Sequence, residues 1–112
     1  MKLAIIGSRS ITNLDISPYI PEGVSMIISG GAKGVDTLAE TYADKHRLSK
    51  CIFRPRYDKY PPKVAPLIRN DLIVNECDEM IVFWDGKSRG TSSTIKKAKI
   101  AGKPVKVIEI ET

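Results

Sequence analysis

Three short stretches of this chain combine residue types that can hold an anion or move a proton. In the first, Ser29-Gly30-Gly31-Ala32-Lys33-Gly34-Val35-Asp36 lies between an apolar run, Val24 to Ile28, and an amphipathic segment, Val35 to His46. That is strand, glycine turn, helix. Such a turn leaves backbone N–H groups pointing outward with the positive end of a helix dipole behind them, a setting suited to phosphate. Three glycines in five positions allow positive φ and make room for a ligand where a Cβ would block it. A tight strand-to-helix turn that binds nothing accounts for the same residues. Asp36 falls in the first helical turn, where a carboxylate stabilises the positive helix end; it could equally meet a ribose hydroxyl or orient a water.

The second stretch is Asp85-Gly86-Lys87-Ser88-Arg89-Gly90-Thr91-Ser92-Ser93, which follows the apolar run Met80 to Trp84 and opens another helix. Gly90, Thr91 and Ser92 could contact a phosphate, although Thr91 or Ser92 as a helix cap explains the hydroxyls without a ligand. The third, Gly7-Ser8-Arg9-Ser10, follows Lys2 to Ile6 and carries hydroxyls and one guanidinium. It lacks the GxGxxG pattern of dinucleotide-binding turns, which argues against ordinary NAD chemistry. Elsewhere, Arg69 and Asn70 stand with Asp71 on a helix, and Arg69 is long enough to reach a ligand. Arg54, Arg56, Tyr57, Lys59 and Tyr60 share one loop. They could clamp phosphate and stack on a base, or simply pack their rings on the domain. His46, at the end of its helix, reads as a packed or last-turn residue.

The elements that must position these residues follow from periodicity. Lys2 to Ile6, Val24 to Ile28, Cys51 to Phe53, Met80 to Trp84 and Val105 to Ile110 read as strands. Val35, Leu38, Ala39, Tyr42, Ala43 and His46 form one helical face. A further helix begins at Pro66 with Leu67, Ile68 and Leu72 inward. The last buries Thr91, Ile95 and Ala98 and stops at Gly102 before Pro104. Thr12 to Ile20 reads as a short helix made poor by Pro18 and Pro21. Alternating strands and helices predict a parallel sheet covered on both faces. With right-handed crossovers its order is 3-2-1-4-5, with a switch point between the first and fourth strands. The three candidate stretches then lie side by side at the carboxyl ends of the strands.

A chain of 112 residues, 42% hydrophobic and 28% charged, is expected to be one soluble domain spanning 1–112. The net charge of +5 favours phosphate-bearing partners. Two distant cysteines, Cys51 and Cys77, and a single histidine offer no metal-ligand set and call for no disulfide, so a reducing cytoplasm and no metal are expected. The opening apolar run, Leu3 to Ile6, is too short for a signal peptide or a membrane span.

The Gly7-Ser8-Arg9 start, the Gly30-Gly31-Ala32-Lys33-Gly34-Val35-Asp36 turn, Arg69-Asn70, and Trp84 through Gly90-Thr91 resemble the SLOG superfamily, which groups Smf/DprA and LOG proteins. The resemblance covers nearly the whole chain and is closest to the small stand-alone, YspA-like members of bacteria and phages. It implies a Rossmann-like sheet that binds a nucleotide or nucleotide-derived ligand, often as a dimer, for sensing or nucleotide processing. LOG enzymes cut the N-glycosidic bond of nucleoside monophosphates with a GGxGTxxE motif. Here Gly90-Thr91 match, but Thr94 holds the glutamate position. Cleavage through an oxocarbenium-like state needs a carboxylate, so a phosphoribohydrolase would have to use Asp36 or Asp85 instead.

The expected site therefore comprises Gly7, Ser8, Arg9, Gly30, Gly31, Lys33, Gly34, Asp36, Arg69, Asn70, Trp84, Gly90, Thr91 and Ser92. Asp36 and Asp85 are the catalytic candidates if the protein is an enzyme. The remaining alternative is a module for single-stranded nucleic acid built on Arg54, Arg56, Tyr57 and Tyr60.

Overall fold

Leu3–Ile6 and Met80–Phe83 contain no polar side chain, and every residue of both runs is buried. Runs like these fit the centre of a sheet that is covered on both faces. A computed structural model describes residues 1–111 and places them there. Five strands, β1 (Lys2–Gly7), β2 (Met26–Ser29), β3 (Ser49–Ile52), β4 (Glu79–Trp84) and β5 (Val105–Glu109), form one sheet in the order β3-β2-β1-β4-β5. All four pairings are parallel. This is the Rossmann-like arrangement that alternation predicted.

Helix α1 (Val35–Lys45) covers one face of the sheet, while α2 (Ala65–Glu76) and α3 (Arg89–Ile100) cover the other. Alternate residues of β1 divide accordingly. Leu3 and Ile5 join Val35, Ala39 and Phe83, whereas Ala4 and Ile6 join Ile73, Val82 and Ile95. The edge strands β3 and β5 are half-exposed and carry lysines, as unpaired edges commonly do.

Two local expectations change, and the one for His46 holds. The Thr12–Ile20 segment condenses to a single 3-10 turn, Ser17–Tyr19, with Pro18 in its first positions; Ile11 and Ile16 are what it buries. On α2, Leu67 and Leu72 point outward, 46% and 45% exposed, and the inner face is Ala65, Ile73 and Val74 with Arg69 and Asn70 partly covered. The helix is rotated so that a polar pair, not a leucine pair, faces the carboxyl end of the sheet. His46 caps α1, in the last-turn place expected of it, and stacks on Tyr42 with ring centroids 4.2 Å apart while remaining exposed.

Candidate functional site

Strand order fixes where the loops meet. With β1 and β4 adjacent and their crossovers on opposite faces, the loops after β1 and β4 part company and leave a crevice. A cleft of about 440 Å³ opens there between α2 and α3. Ile6 and Ile73 give it apolar patches, and its polar lining comes from Arg9, Ser10, Asp36, Arg69, Asn70, Asp85, Ser88, Thr91, Ser93 and Thr94. Gly7, Gly30 and Gly90 complete the expected residues that reach it.

Arg69 is aimed by two contacts. Its Nη1 donates to the Gly30 carbonyl at 2.6 Å, and its Nε donates to Asn70 Oδ1 at 2.9 Å. Burial pulls the guanidinium below its ordinary pKa, with Asp36 and Tyr57 opposing that shift and Arg9 adding repulsion. Two arginines therefore share the cleft. None of the ion pairs among the described residues involves either of them. Arg54, from the β3–α2 connection, makes a parallel contact by donating to the Gly31 carbonyl at 3.0 Å. The glycine turn is thus clamped through its carbonyls by guanidinium groups on both of its leading glycines.

The two carboxylates of the cleft differ sharply. Asp85 has both oxygens engaged: Oδ1 accepts from the N–H groups of Lys87 and Ser88, both at 2.8 Å, and Oδ2 accepts from the Ser10 hydroxyl at 2.9 Å. The Ser88 and Lys87 amides, with the hydroxyls of Ser10 and Ser8, hold its pKa down to about 2. A carboxylate so weakly basic is a poor general base, and these contacts hold the β4–α3 loop in shape. Asp36 is 5% exposed. Its Oδ2 accepts from the Ala32 N–H at 3.1 Å, but no protein donor meets Oδ1, the sole buried side-chain polar atom so placed among the described residues. Burial pushes the Asp36 carboxyl up from its ordinary value; the Ala32 N–H, Arg69 and the Gly30 N–H oppose the shift, and Glu40 adds to it.

Several expected site residues lie elsewhere. Gly31, Lys33 and Gly34 do not line the cleft, so the turn presents Gly30, Ala32 and Asp36 rather than a continuous cradle. Three of the turn's glycines make room for the protein's own atoms instead. A Cβ on Gly30 would meet Arg69 Nη1 at 2.6 Å and Asp36 Oδ2 at 2.9 Å; one on Gly31 would meet Arg54 Nη1 at 2.6 Å; one on Gly34 would meet the Ser8 carbonyl at 2.6 Å. The room these glycines provide is filled by the protein itself. Gly90 is the exception, with nothing within 4 Å of a Cβ there. The Ala32 N–H is likewise taken, by Asp36.

Ser8 is buried as a joint between loops: its N–H donates to the Phe83 carbonyl at 3.0 Å and its hydroxyl accepts from the Asp85 N–H at 3.0 Å. Trp84 and Ser92 line a neighbouring hollow with Lys87 and Lys96, and the Trp84 indole donates to the Ser88 carbonyl at 3.0 Å. The cap of α3 is Ser88, whose hydroxyl accepts from the Thr91 N–H at 3.4 Å, so neither Thr91 nor Ser92 serves as the cap. Thr94 is buried and donates to the Gly90 carbonyl at 3.1 Å, which leaves no carboxylate on that part of α3.

Ser10, Ser88 and Ser93 are cleft residues that sequence reasoning did not single out. Their neighbours in the same glycine and serine stretches were the available signal. The Arg54–Tyr60 loop lies outside the cleft: Tyr57 is 57% exposed, and Arg56 is held by both oxygens of Asp58 at 3.0 and 2.9 Å. No cluster able to hold a metal ion and no helix long and apolar enough to cross a membrane occurs among the described residues. Comparison of the chain with protein-family models, curated proteins and solved structures gives no significant match.

Proposed function

We propose that the cleft binds a phosphorylated ligand of nucleotide size, with the phosphate at Arg9, Arg69 and the start of α3. The observation that carries this reading is the convergence of two guanidinium groups, neither ion-paired, on one cleft of about 440 Å³. A bare pair of cations repels itself, and an anion between them removes that cost. The first turn of α3 adds N–H groups and a positive helix end on the same wall. Gly90 leaves that wall open to close approach. The volume falls in the range of small-molecule sites, about 300–1,000 Å³.

The resemblance of the glycine and arginine motifs to the SLOG superfamily supports the same ligand class and adds the expectation of a dimer acting in the cytoplasm. Sensing or processing of a nucleotide is the function we favour. Hydrolysis of an N-glycosidic bond is the less favoured reading, because Asp85 is committed to its loop and Thr94 replaces the family's carboxylate.

Isothermal titration with nucleoside mono-, di- and triphosphates tests the proposal. Wild-type protein is expected to bind one of these classes, and Arg9→Ala and Arg69→Ala are each expected to weaken it at least tenfold, the scale of a lost charge-assisted hydrogen bond. Binding that both variants leave intact would place the phosphate elsewhere. Chromatography of the same mixtures separates a binder from a hydrolase.

A further inference from the structure

Beside the cleft lies the second hollow, of about 350 Å³, and its charge balance is different. The cleft brings together two guanidinium groups and two carboxylates, those of Arg9, Arg69, Asp36 and Asp85. The hollow is lined by three cations, Lys87, Arg89 and Lys96, and by no carboxylate. None of the ion pairs among the described residues involves any of the three. Like charges gathered on one concave surface repel one another, and the low-dielectric wall concentrates their field. An anion seated there removes that repulsion.

Regular backbone places these cations together. Arg89, Ser92, Ser93 and Lys96 follow one another at three- and four-residue steps and share one stripe of α3. Lys87 comes from the β4–α3 loop, which is fixed from two sides. Asp85 Oδ1 accepts from the Lys87 and Ser88 N–H groups, and the Trp84 indole donates to the Ser88 carbonyl. Asp85 thereby holds the loop without lining the hollow, so its charge does not stand among the three cations.

Cleft and hollow adjoin. Ser88 and Ser93 line both, and Gly90, which lines the cleft, is exposed with nothing within 4 Å of where a Cβ would stand. The divide between them thus carries hydroxyls and bare backbone but no bulky side chain. A single phosphate at Arg9 and Arg69 would leave the cations on the far side of that divide unmatched.

We propose that the hollow receives a second phosphate of the same ligand, held by Lys87, Arg89 and Lys96. The site then prefers ligands with two or more phosphates to nucleoside monophosphates. This rests on the phosphorylated-ligand reading of the cleft. Two kinds of ligand share the chemistry: a nucleoside di- or triphosphate, whose phosphates are contiguous, and a linear dinucleotide, whose phosphates are separated by a sugar.

The test is titration calorimetry of the full chain. The probes are the mono-, di- and triphosphates of adenosine, guanosine, cytidine and uridine, and the dinucleotides pApA and pGpG. At least one ligand with two or more phosphates is expected to bind about five- to thirtyfold more tightly than its monophosphate, the combined scale of two or three exposed charge contacts. A gain confined to the contiguous series or to the dinucleotides names the source, and either supports the proposal. In Lys87→Ala/Lys96→Ala, checked for folding by its melting transition, the ratio is expected to fall to near one. Lys99→Ala is the control, since Lys99 is exposed on the same helix but outside the hollow, and it is expected to leave the ratio unchanged. Equal affinity of the wild-type protein for mono- and polyphosphorylated probes would overturn the inference and leave the phosphate reading standing. A ratio that survives the double substitution, or that Lys99→Ala lowers as far, would also overturn it. Failure of every probe to bind would overturn both.

Discussion

Replacing Gly30 by alanine separates the two jobs this residue could have. A Cβ there would stand 2.6 Å from Arg69 Nη1 and 2.9 Å from Asp36 Oδ2, so the guanidinium must leave, its bond to the Gly30 carbonyl is lost, and the Asp36 carboxylate must shift as well. A hydrogen bond from a charged group contributes about 1.5–3 kcal/mol. Alanine returns about 0.4–1 kcal/mol by restricting the unfolded chain, and Gly30 is not among the positive-φ glycines, so no backbone strain opposes it. The net expected loss is about 1–2 kcal/mol, which for a domain of this size lowers the melting temperature by roughly 4–10 °C. Gly34→Ala is the comparison. There φ is +78° and the new Cβ would meet backbone atoms of Ser8 and Arg9 at 2.6–2.8 Å, which cannot swing aside. That change is expected to cost about 3 kcal/mol or more. Thermal melts of both variants, with nucleotide titration of Gly30→Ala, make the assay. If Gly30→Ala proved as destabilising as Gly34→Ala, or bound nucleotide as the parent does, Arg69 would not be the displaceable, ligand-facing group described here.

Two further expectations concern protons. The Asp36 carboxyl is raised in the folded protein, so its ionisation works against folding: its contribution is intact below about pH 4, the unfolded value, and is lost as pH rises through the folded one. Asp36→Asn is thus expected to melt above the wild type at pH 8 and to lose that advantage towards pH 4; a variant less stable at pH 8 than at pH 4, relative to the parent, would mean that Arg69 outweighs burial. Asp85 runs the other way. Its folded value of about 2 lies below the unfolded one, so its stabilising contribution is present above about pH 4 and fades as pH falls towards 2. Asp85→Asn should melt below the wild type at pH 7, and the two curves should converge near pH 2; parallel curves would show that the charge of Asp85 does not hold the loop.

Much of the fold was legible because the central strands are unbroken apolar runs and each is followed by a helix, which leaves few sheet orders open. The rotation of α2 was not. Leu67, Ile68 and Leu72 look like an inner face, yet the end of α2 that meets the sheet borders a polar cleft, where Arg69 and Asn70 belong and apolar periodicity carries no signal. The neighbourhood of the site followed from topology alone, and Gly7, Arg9, Gly30, Asp36, Arg69, Asn70, Gly90 and Thr91 do meet there. The role of the glycines did not follow. A glycine makes room, but only the folded chain shows that Arg69, Arg54 and the Ser8 carbonyl fill that room at Gly30, Gly31 and Gly34. Nor does sequence distinguish Asp85, with both oxygens engaged, from Asp36, with one oxygen left over.

The central claim is that a phosphate enters between Arg9, Arg69 and the start of α3. Amide NMR of the protein titrated with a nucleoside monophosphate tests it most directly. The largest shifts are expected at Gly7, Arg9, Gly30, Gly90 and Thr91, with Arg54 to Tyr60 and the distant β5 strand little changed. Shifts confined to Arg54–Tyr60, or no shifts with any nucleotide, would contradict it.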